Sequence, residues 1–542
     1  MKILAGIFLL GLILRIVFLD IAPPGFNADE AALGYNAYSL IKTGKDEWGI
    51  SFPMVFKSFS DYKPGLYVYL DIPFVAILGL NEFAVRLPSI LLGSTSIILI
   101  YLLSKELFKK ESAALSSAFL LSISPWHLHF SRGAWEANVA TFFILLGVLT
   151  FIKSFKKSFF LWISAVAFIS AMYTYQSARL VVPTLVFFLV IFCWRELLVK
   201  KNIKVIIFAL ILLIPLIFIL PTSAGLARFK GVSMFSDLGP LNRINELRGQ
   251  DQDPSSYSAK FFHNKIQSYA NSFFIHYLDH FSFDFLFLTG GSLKRNKEPD
   301  MGELYIFEII TIVSGLYFLI RHQQNISFGK KLSNTRLVFI WLIIAPLASS
   351  LTYQTPDAHR AHNMLVPLGL ISGLGLGILL ENIRRFNKLA RYIGLGLAIL
   401  IIGFSMAIYF DKYYNHLPKE YPLEWEYGFS QVIPYVMNIQ DKYQKIVITD
   451  RYDQPYVLLL FYSKYDPIKY QGLEKVIGDN KFGFSTINSF EKYEFRPIAK
   501  EEISKSKNTL FIGTKEEIGD NVTPLKVINF PNGMPAFKVI GT

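Results

Sequence analysis

Twelve apolar spans dominate the chain and limit the folds that it can adopt. They lie near residues 3–20, 66–80, 86–104, 112–126, 139–152, 158–175, 178–194, 205–221, 303–320, 337–353, 363–380 and 392–410. A helix needs about 20 apolar residues to cross a bilayer, and these spans approach that length. The pattern therefore predicts a polytopic α-helical membrane protein. Because no A-x-A-like cleavage site follows the first span, we expect it to be retained as a helix.

The charge of the short loops predicts the topology. Lys2 and the loops at 105–111, 153–157, 195–204, 321–336 and 381–391 together contain 19 Lys and Arg against 4 Asp and Glu. Because basic loops stay in the cytoplasm, an even number of crossings must separate each loop from the N-terminus. This condition holds if span 66–80, which contains Asp71 and Pro73, dips into the outer half of the membrane without crossing it. Eleven crossings then follow, with a cytoplasmic N-terminus.

The end of the chain differs in charge from the rest. Residues 411–542 contain 17 basic and 17 acidic residues, so the formal net charge of +13 belongs to residues 1–410. This charge lies mostly in short loops and does not indicate nucleic-acid binding. Alternating strand-like and helix-like runs predict a small soluble α/β domain at 411–542 on the outer face, after a transmembrane domain at 1–410.

Two outer segments of the transmembrane domain are long. They are a first outer loop at 21–85 and a large outer loop at 222–302. The second is too long for a structureless loop, so we expect it to contain helices that line or cover a site.

Two adjacent acids, Asp29 and Glu30, follow the first span in the stretch "NADEAALGYNAYSLI". Asn27, three residues before Glu30, completes the pattern of a capping box at a helix N-terminus. This pattern explains Glu30 but not Asp29. Asp29 heads an apolar helix face whose other members are Leu33, Ala37 and Leu40. A carboxylate on a buried face requires a partner or a task, so structural and functional roles for Asp29 both stay open.

Four stretches in order resemble the start of a membrane glycosyltransferase of the GT-C type. They are "LRIVFLDIAPPGFNADEAALGYNAYSL", "YKPGLYVYL", "NEFAVRLPS" and "SPWHLHFSRGAWEAN". The pattern is similar to the family 39 protein mannosyltransferase superfamily and to the lipid A aminoarabinose transferases, over residues 10–180 and more loosely over 336–380. The resemblance implies a GT-C fold and inverting transfer of a sugar from a polyprenyl-phosphate donor, at the outer face of a prokaryotic cytoplasmic membrane. The acceptor would be a protein, a lipid or a glycan.

The resemblance also implies roles for individual residues. The acidic motif of the family falls on Asp29 and Glu30, and its first acid is the base or positioner for the acceptor hydroxyl. Lys63 and Arg360 match cations that contact the donor phosphate, and Arg132 is a third candidate for that role. Further candidates for substrate binding are Tyr35, Tyr62, His127, Trp135, Glu136 and His359.

Structural interpretations of two of these cations stay open. Lys63 could simply extend to the lipid headgroups, with its apolar stem in the membrane. Arg132 could pair with Glu136, four residues further along, if that stretch is helical.

One departure from the family concerns metal binding. Aminoarabinose transferases have an acid directly before the lysine, where it helps to hold a metal, whereas this chain has Tyr62. We therefore expect no metal and no cofactor, although four outer histidines could ligate zinc in principle: His127, His129, His359 and His362. We instead expect the interfacial histidines, with Trp126 and Trp135, to lie at the level of the lipid headgroups.

Two other functions remain as alternatives. A transporter or flippase of lipid-linked sugars is typically built from inverted halves with helices broken near the midplane, whereas the charged residues here cluster towards one face of the membrane. A structural or sensory membrane protein leaves Asp29, Lys63 and Arg360 unexplained. The tryptophan-rich signature of the oligosaccharyltransferase catalytic subunit is absent from the sequence.

Overall fold

A computed structural model describes the fold over residues 1–59, 61–222, 225, 231–321, 327–328, 332–479 and 485–542. Parts of the basic loop 321–336 and the start of the large outer loop 222–302 lie outside these residues. The chain forms two compact units. The first contains Met1–Arg15, Leu91–Ser131 and Glu136–Tyr409, and the second contains Ile16–Ile90, Arg132–Trp135 and Phe410–Thr542.

The first unit contains most of the apolar helices. They are α1 (Lys2–Ile16), most of α4 (Glu82–Phe108), α5 (Glu111–Ile123), α6 (Pro125–Arg132), α7 (Glu136–Ser154), α8 (Phe159–Thr174), α9 (Ala178–Leu197), α10 (Ile203–Ile219), α14 (Glu308–Arg321), α15 (Asn334–Ile344), α16 (Leu347–Ser350), α17 (Leu365–Ile383) and α18 (Lys388–Phe410). The large outer loop adds α11 (Gly239–Gln250), α12 (Tyr257–Phe262) and α13 (Lys265–Asp279). A two-stranded hairpin consists of β3 (Ser327–Phe328) and β4 (Leu332–Ser333).

Each of the twelve apolar spans contains a helix, which confirms the helical prediction. By length and composition, six helices among the described residues could cross a membrane: Glu82–Phe108, Glu136–Ser154, Ala178–Leu197, Lys200–Ile219, His362–Ile383 and Lys388–Glu420. Four shorter apolar helices accompany them, including Leu66–Leu78, the span that we expect to dip into the membrane. The count of eleven crossings stays a prediction.

Small residues allow close packing of the membrane helices. On α17, Gly373 and Gly377 lie against Ser117 and Ala113 of α5, so a Cβ at either glycine would collide with the neighbouring helix. Small residues at a spacing of four let helix backbones approach where lipid offers no hydrophobic driving force. The glycine-rich sequence of α17 therefore explains why this helix lies deep within the first unit.

The second unit begins with the elements of the first outer loop. They are α2 (Ala28–Thr43), the antiparallel hairpin β1 (Val55–Ser58) and β2 (Asp61–Pro64), and α3 (Leu66–Leu78). α2 packs on α3 and on two helices from the end of the chain, α21 (Pro455–Ser463) and α22 (Pro467–Gln471). The first outer loop and the residues after 410 thus share one compact unit.

The rest of the second unit is a mixed seven-stranded sheet with helices. Its strands are β5 (Lys445–Ile448), β6 (Val476–Asp479), β7 (Ser485–Phe490), β8 (Tyr493–Phe495), β9 (Thr509–Gly513), β10 (Lys526–Asn529) and β11 (Pro535–Gly541). Their order is β10-β11-β9-β5-β8-β7-β6, and β5 runs parallel to β8 and β9. The remaining helices are α19 (Leu417–Glu420), α20 (Phe429–Ile439), α23 (Lys500–Lys505) and α24 (Lys515–Ile518). The predicted α/β composition of this region is confirmed.

Candidate active site

The N-terminus of α2 is organised by a capping box. Asn27 has an extended backbone, and its side chain accepts a hydrogen bond of 3.1 Å from the backbone N–H of Glu30. In return, a Glu30 carboxylate oxygen accepts the backbone N–H of Asn27 at 3.2 Å. The predicted capping box is therefore present, and it fixes the direction in which the two acids of the first turn project.

Glu30 is an anchor inside the second unit. Its carboxylate accepts hydrogen bonds from Arg86 Nε at 2.9 Å, from Arg86 Nη2 at 3.0 Å and from the backbone N–H of Ala134 at 2.8 Å. Arg86 also donates to the carbonyl of Gly25 at 2.5 Å. A two-pronged arginine–carboxylate contact combines charge with fixed geometry. Glu30 thus joins α2, the start of α4 and the turn at 133–135.

Asp29 has different surroundings from its neighbour. Its side chain is 33% exposed, and its carboxylate lies 2.5 Å from the ammonium group of Lys63, whose side chain is 12% exposed. Lys63 is on β2, paired with Phe56 of β1. The helix face below Asp29 is buried at Leu33, Ala37 and Leu40, as the spacing predicts. The structure thus brings together the acid and the lysine that the sequence singled out separately.

Arg132 is held by backbone and aromatic groups of the second unit. Its guanidinium donates to the carbonyls of Phe18 at 3.1 Å and Ala22 at 2.6 Å, and it lies 5.3 Å from the ring centroids of Tyr413 and Tyr414. Such cation–π contacts are strongest when the cation is desolvated, as it is here. α6 ends at Arg132 and α7 begins at Glu136, so these two residues do not lie on one continuous helix.

Arg360 lies in the first unit, in the loop before α17. Its guanidinium donates to Thr352 Oγ1 at 2.9 Å and to the carbonyl of Gln354 at 3.0 Å, and it lies 3.3 Å from the carboxylate of Asp357. Asp357 also accepts the backbone N–H groups of His359 at 2.8 Å and of Arg360 at 3.0 Å. Burial alone would raise the pKa of Asp357, but the charges of Arg360 and His359 and the backbone hydrogen bond from Arg360 together outweigh it, so this pKa is lowered.

Most of the further substrate-binding candidates are buried. The Tyr35 hydroxyl donates to the carbonyl of Tyr465 at 3.1 Å inside the second unit, and the Trp135 ring meets that of Trp425 edge to face. Glu136 is also buried. Only Tyr62 and His359 in this group are partly exposed, and the His359 ring stacks on that of Phe130.

The structure corrects the prediction that tryptophan and histidine side chains of the outer segments lie at the level of the lipid headgroups. Trp126, Trp135, His127 and His129 are all buried, so they do not line the surface at the membrane interface. His127 lies 2.5 Å from the guanidinium of Arg15, and burial, followed by that charge, lowers the pKa of His127 well below its ordinary value. The prediction was wrong because the composition of an aromatic stretch does not distinguish packing against protein from contact with headgroups.

Sequence reasoning missed two partners of the candidate residues. Arg86, which holds Glu30, was part of a quoted motif but received no role, although an arginine at the start of an apolar span signals a buried partner. Asp357, which contacts Arg360, lies three residues before it in the sequence. An acid at this spacing from an arginine is a signal of an ion pair that could have been used. Among the residues that the structure describes, no group of three or more His, Cys, Asp or Glu side chains could hold a metal ion. Metal independence stays a prediction.

Comparisons with known proteins agree with this architecture. Residues 63–220 match the family model described as dolichyl-phosphate-mannose-protein mannosyltransferase. An uncharacterized protein of Aquifex aeolicus is 26% identical over 299 residues, which cover 51% of this chain and 56% of that protein. The chain therefore aligns with little more than half the length of this curated relative.

Two solved structures have a similar fold. ArnT from Cupriavidus metallidurans bound to undecaprenyl phosphate superposes with a TM-score of 0.52 at 10% identity, over 99% of this chain and 97% of ArnT. The archaeal oligosaccharyltransferase AglB from Archaeoglobus fulgidus, in complex with an inhibitory peptide and a dolichol-phosphate, gives 0.52 at 14% identity, over 85% of this chain and 63% of AglB. Together with the apolar helices, these likenesses identify an integral membrane protein with the fold of GT-C membrane glycosyltransferases and a C-terminal sheet domain, in which residues 63–220 match the mannosyltransferase family model.

Proposed function

We propose that this protein transfers a sugar from a polyprenyl-phosphate donor to an acceptor at the outer face of the cytoplasmic membrane, with inversion at the anomeric carbon. The observation that carries the proposal is the partly exposed pair of Asp29 and Lys63. It combines a carboxylate that can accept a proton with a cation that can meet a phosphate. The family model and the likeness to a structure that contains undecaprenyl phosphate support the donor class.

In the proposed reaction, Asp29 accepts the proton of the acceptor hydroxyl. The hydroxyl oxygen forms a bond to the anomeric carbon on the face opposite the phosphate, and the bond from that carbon to the phosphate oxygen breaks. The products are the glycosylated acceptor and a polyprenyl phosphate. A base in hydrogen-bond reach of the hydroxyl typically contributes 10²–10⁴-fold to the rate.

The leaving phosphate gains charge, and cations compensate for it. We assign this role to Lys63, which can exchange its contact with Asp29 for a phosphate oxygen, and to Arg360, whose guanidinium is oriented by Asp357. A cation stabilises the departing phosphate more than the intact donor, so it lowers the barrier as well as improving binding. Arg132 is next in line, and its contacts with backbone carbonyls favour a positioning role.

The two acids of α2 have separate roles in this proposal. Glu30 is 1% exposed and engaged with Arg86, so it orients the first turn from which Asp29 projects. Asp29 does the chemistry. The sugar and the acceptor class, whether protein, lipid or glycan, are for the experiment to identify.

The test is a transfer assay with the purified full chain in proteoliposomes. A panel of radiolabelled polyprenyl-phosphate sugars is supplied together with candidate acceptors, and both products are quantified. We expect release of polyprenyl phosphate with one donor, at a rate that falls about 10²–10⁴-fold in Asp29→Asn. Asp253→Asn, an exposed acid in the large outer loop, is the matched control and should retain the full rate.

Two outcomes would contradict the proposal. One is wild-type turnover in Asp29→Asn. The other is movement of intact lipid-linked sugar across the bilayer with no donor cleaved, which would instead favour the transporter alternative.

A further inference from the structure

Helix α13 of the large outer loop has an apolar exposed face. Ile266, Ala270, Phe274 and Leu278 follow one another at intervals of four and form a single stripe along the helix. The exposed fractions of Ile266, Phe274 and Leu278 are 84%, 61% and 63%. Charged residues occur only at the ends of α13, as Lys265 and Asp279. An uncharged apolar stripe along a whole helix is unusual on a surface that faces water.

The inward face of the same helix is the more polar one. Ser268 Oγ donates to the carbonyl of Pro240 at 3.2 Å, and the Tyr277 hydroxyl donates to the carbonyl of Ile343 at 2.9 Å. Ser272 and His276 lie on the same side as Ser268, whereas Tyr277 lies on the side of the stripe, and all of them are less exposed than Ile266, Phe274 and Leu278. α13 therefore turns serine and histidine side chains towards the protein and the apolar stripe outwards, with Gln267 and Asn271 exposed beside the stripe.

The neighbouring helix α11 has the ordinary arrangement. It packs against α13, and it buries Ile244 while exposing Asn242, Asn245 and Glu246. The two helices belong to the same outer loop and to the same unit. Exposure of apolar side chains is thus a property of α13 and not of the loop in general.

The apolar stripe adjoins the surface of a membrane helix. The Tyr277 hydroxyl donates to the carbonyl of Ile343, near the end of the apolar helix α15. The side chain of Ile343 is itself 55% exposed. At the other end of the stripe, Phe261 and Phe262 of α12 extend the apolar surface. The stripe is therefore continuous with a side chain that faces hydrocarbon if α15 lies in the membrane.

We propose that the exposed face of α13, extended by α12, lies against the lipid of the bilayer and holds the large outer loop at the membrane surface. With 15 residues, α13 is about 22 Å long, too short to cross a hydrocarbon core of about 30 Å. A helix with one apolar face and charged ends lies in the plane of the interface instead. The lack of charge along the stripe and its continuity with the exposed Ile343 of α15 favour a bilayer over a protein partner.

The test measures which medium surrounds the stripe. Single cysteines are introduced at Phe274→Cys and Leu278→Cys in the full chain, spin-labelled, and reconstituted in phospholipid nanodiscs. Native Cys193 is buried and stays in place. Asn245→Cys on α11 is the matched control. We expect collisions with molecular oxygen to exceed those with a water-soluble nickel complex at 274 and 278, and the reverse at 245.

Two results would overturn the proposal. Nickel access at 274 and 278 equal to that at 245 would place the stripe in water, and low access for both reagents would indicate a covering protein. If the Phe274→Cys protein does not fold, Ile266→Cys reports on the other end of the stripe, where the side chain makes few contacts to lose. Its expected result is again higher access for oxygen than for nickel.

Discussion

The two acids at the N-terminus of α2 are neighbours in sequence and have opposite surroundings. Glu30 is buried, accepts two hydrogen bonds from Arg86 and a third from Ala134, and completes a capping box with Asn27. Asp29, one residue earlier, is 33% exposed and contacts the ammonium group of Lys63. One pair lies in the interior of the second unit, and the other lies at its surface.

The difference teaches how the carboxylate that we propose as the base can be held in place. A buried ion pair contributes little net stability, because desolvation offsets the attraction, but it is strongly directional when both hydrogen bonds are made. The Glu30–Arg86 pair can thus set the position of the helix terminus. The Asp29–Lys63 pair, held on that terminus and on β2, stays accessible to a ligand.

The first prediction breaks the buried pair. Arg86→Met removes the guanidinium and leaves the Glu30 carboxylate buried without its partner, which typically costs 3–5 kcal/mol of folding free energy. We expect a large fall in the thermal unfolding temperature of the purified protein. Arg243→Met, in an exposed ion pair with Glu246 on α11, is the control and should unfold near the wild-type temperature. Equal behaviour of both variants would mean that Glu30 is not an anchor.

The second prediction concerns the cations assigned to the donor phosphate. Lys63→Ala should raise the donor KM and lower kcat, and Arg360→Lys should weaken donor use because a lysine cannot reproduce the fork of donors. Loss of a charge-assisted hydrogen bond costs about 1.5–3 kcal/mol, which is roughly ten- to a hundred-fold in rate. Steady-state kinetics with a defined donor measures both effects, with Arg243→Lys as the control. If both variants keep normal kinetics, the phosphate site lies elsewhere.

The third prediction extends the comparison of the two acids to a further buried acid, Glu47. Glu47 follows α2 and lies beside Asp46, not beside an arginine, and burial, followed by the charge of Asp46, raises its pKa to about 8 from an ordinary 4.5. Between these values the folded state holds more protons than the unfolded state, so stability falls as the pH rises. The loss is at most about 1.4 kcal/mol per pH unit.

We therefore expect the unfolding temperature of the wild type to fall between pH 6.5 and 7.5, and to fall less in Glu47→Gln. Glu501→Gln, an exposed acid on α23, should keep the wild-type dependence. A Glu47→Gln profile identical to that of the wild type would show that Glu47 is ionised throughout this range.

Local patterns in the sequence were sufficient for part of this picture. The twelve apolar spans, the capping box of Asn27 and Glu30, and the buried stripe below Asp29 all depend on residues a few positions apart. Spacing of this kind reports directly on one helix, so these predictions were confirmed. The resemblance likewise indicated the GT-C fold because its motifs occur in a fixed order.

Local spacing could not predict contacts between residues that are far apart in the sequence. Glu30 and Arg86 are 56 positions apart, and Asp29 and Lys63 are 34 apart, so the sequence named three of these residues without pairing them. Burial of Trp126 was missed because an aromatic ring can face lipid or protein with the same hydropathy. The alternating runs of 411–542 predicted an α/β composition but not the order of the seven strands, because that order depends on pairing between distant segments.

The most direct test of the contrast between the two acids is carboxylate footprinting of the full chain in nanodiscs. A water-soluble carbodiimide couples an amine to accessible carboxylates, and peptide mass spectrometry separates Asp29 from Glu30 and from Asp253, an exposed control. We predict modification of Asp29 and Asp253 but not of Glu30, and protection of Asp29 alone when undecaprenyl phosphate is added. Equal modification of Asp29 and Glu30, or no protection of Asp29 by saturating lipid phosphate, would contradict a reaction centre at the Asp29–Lys63 pair.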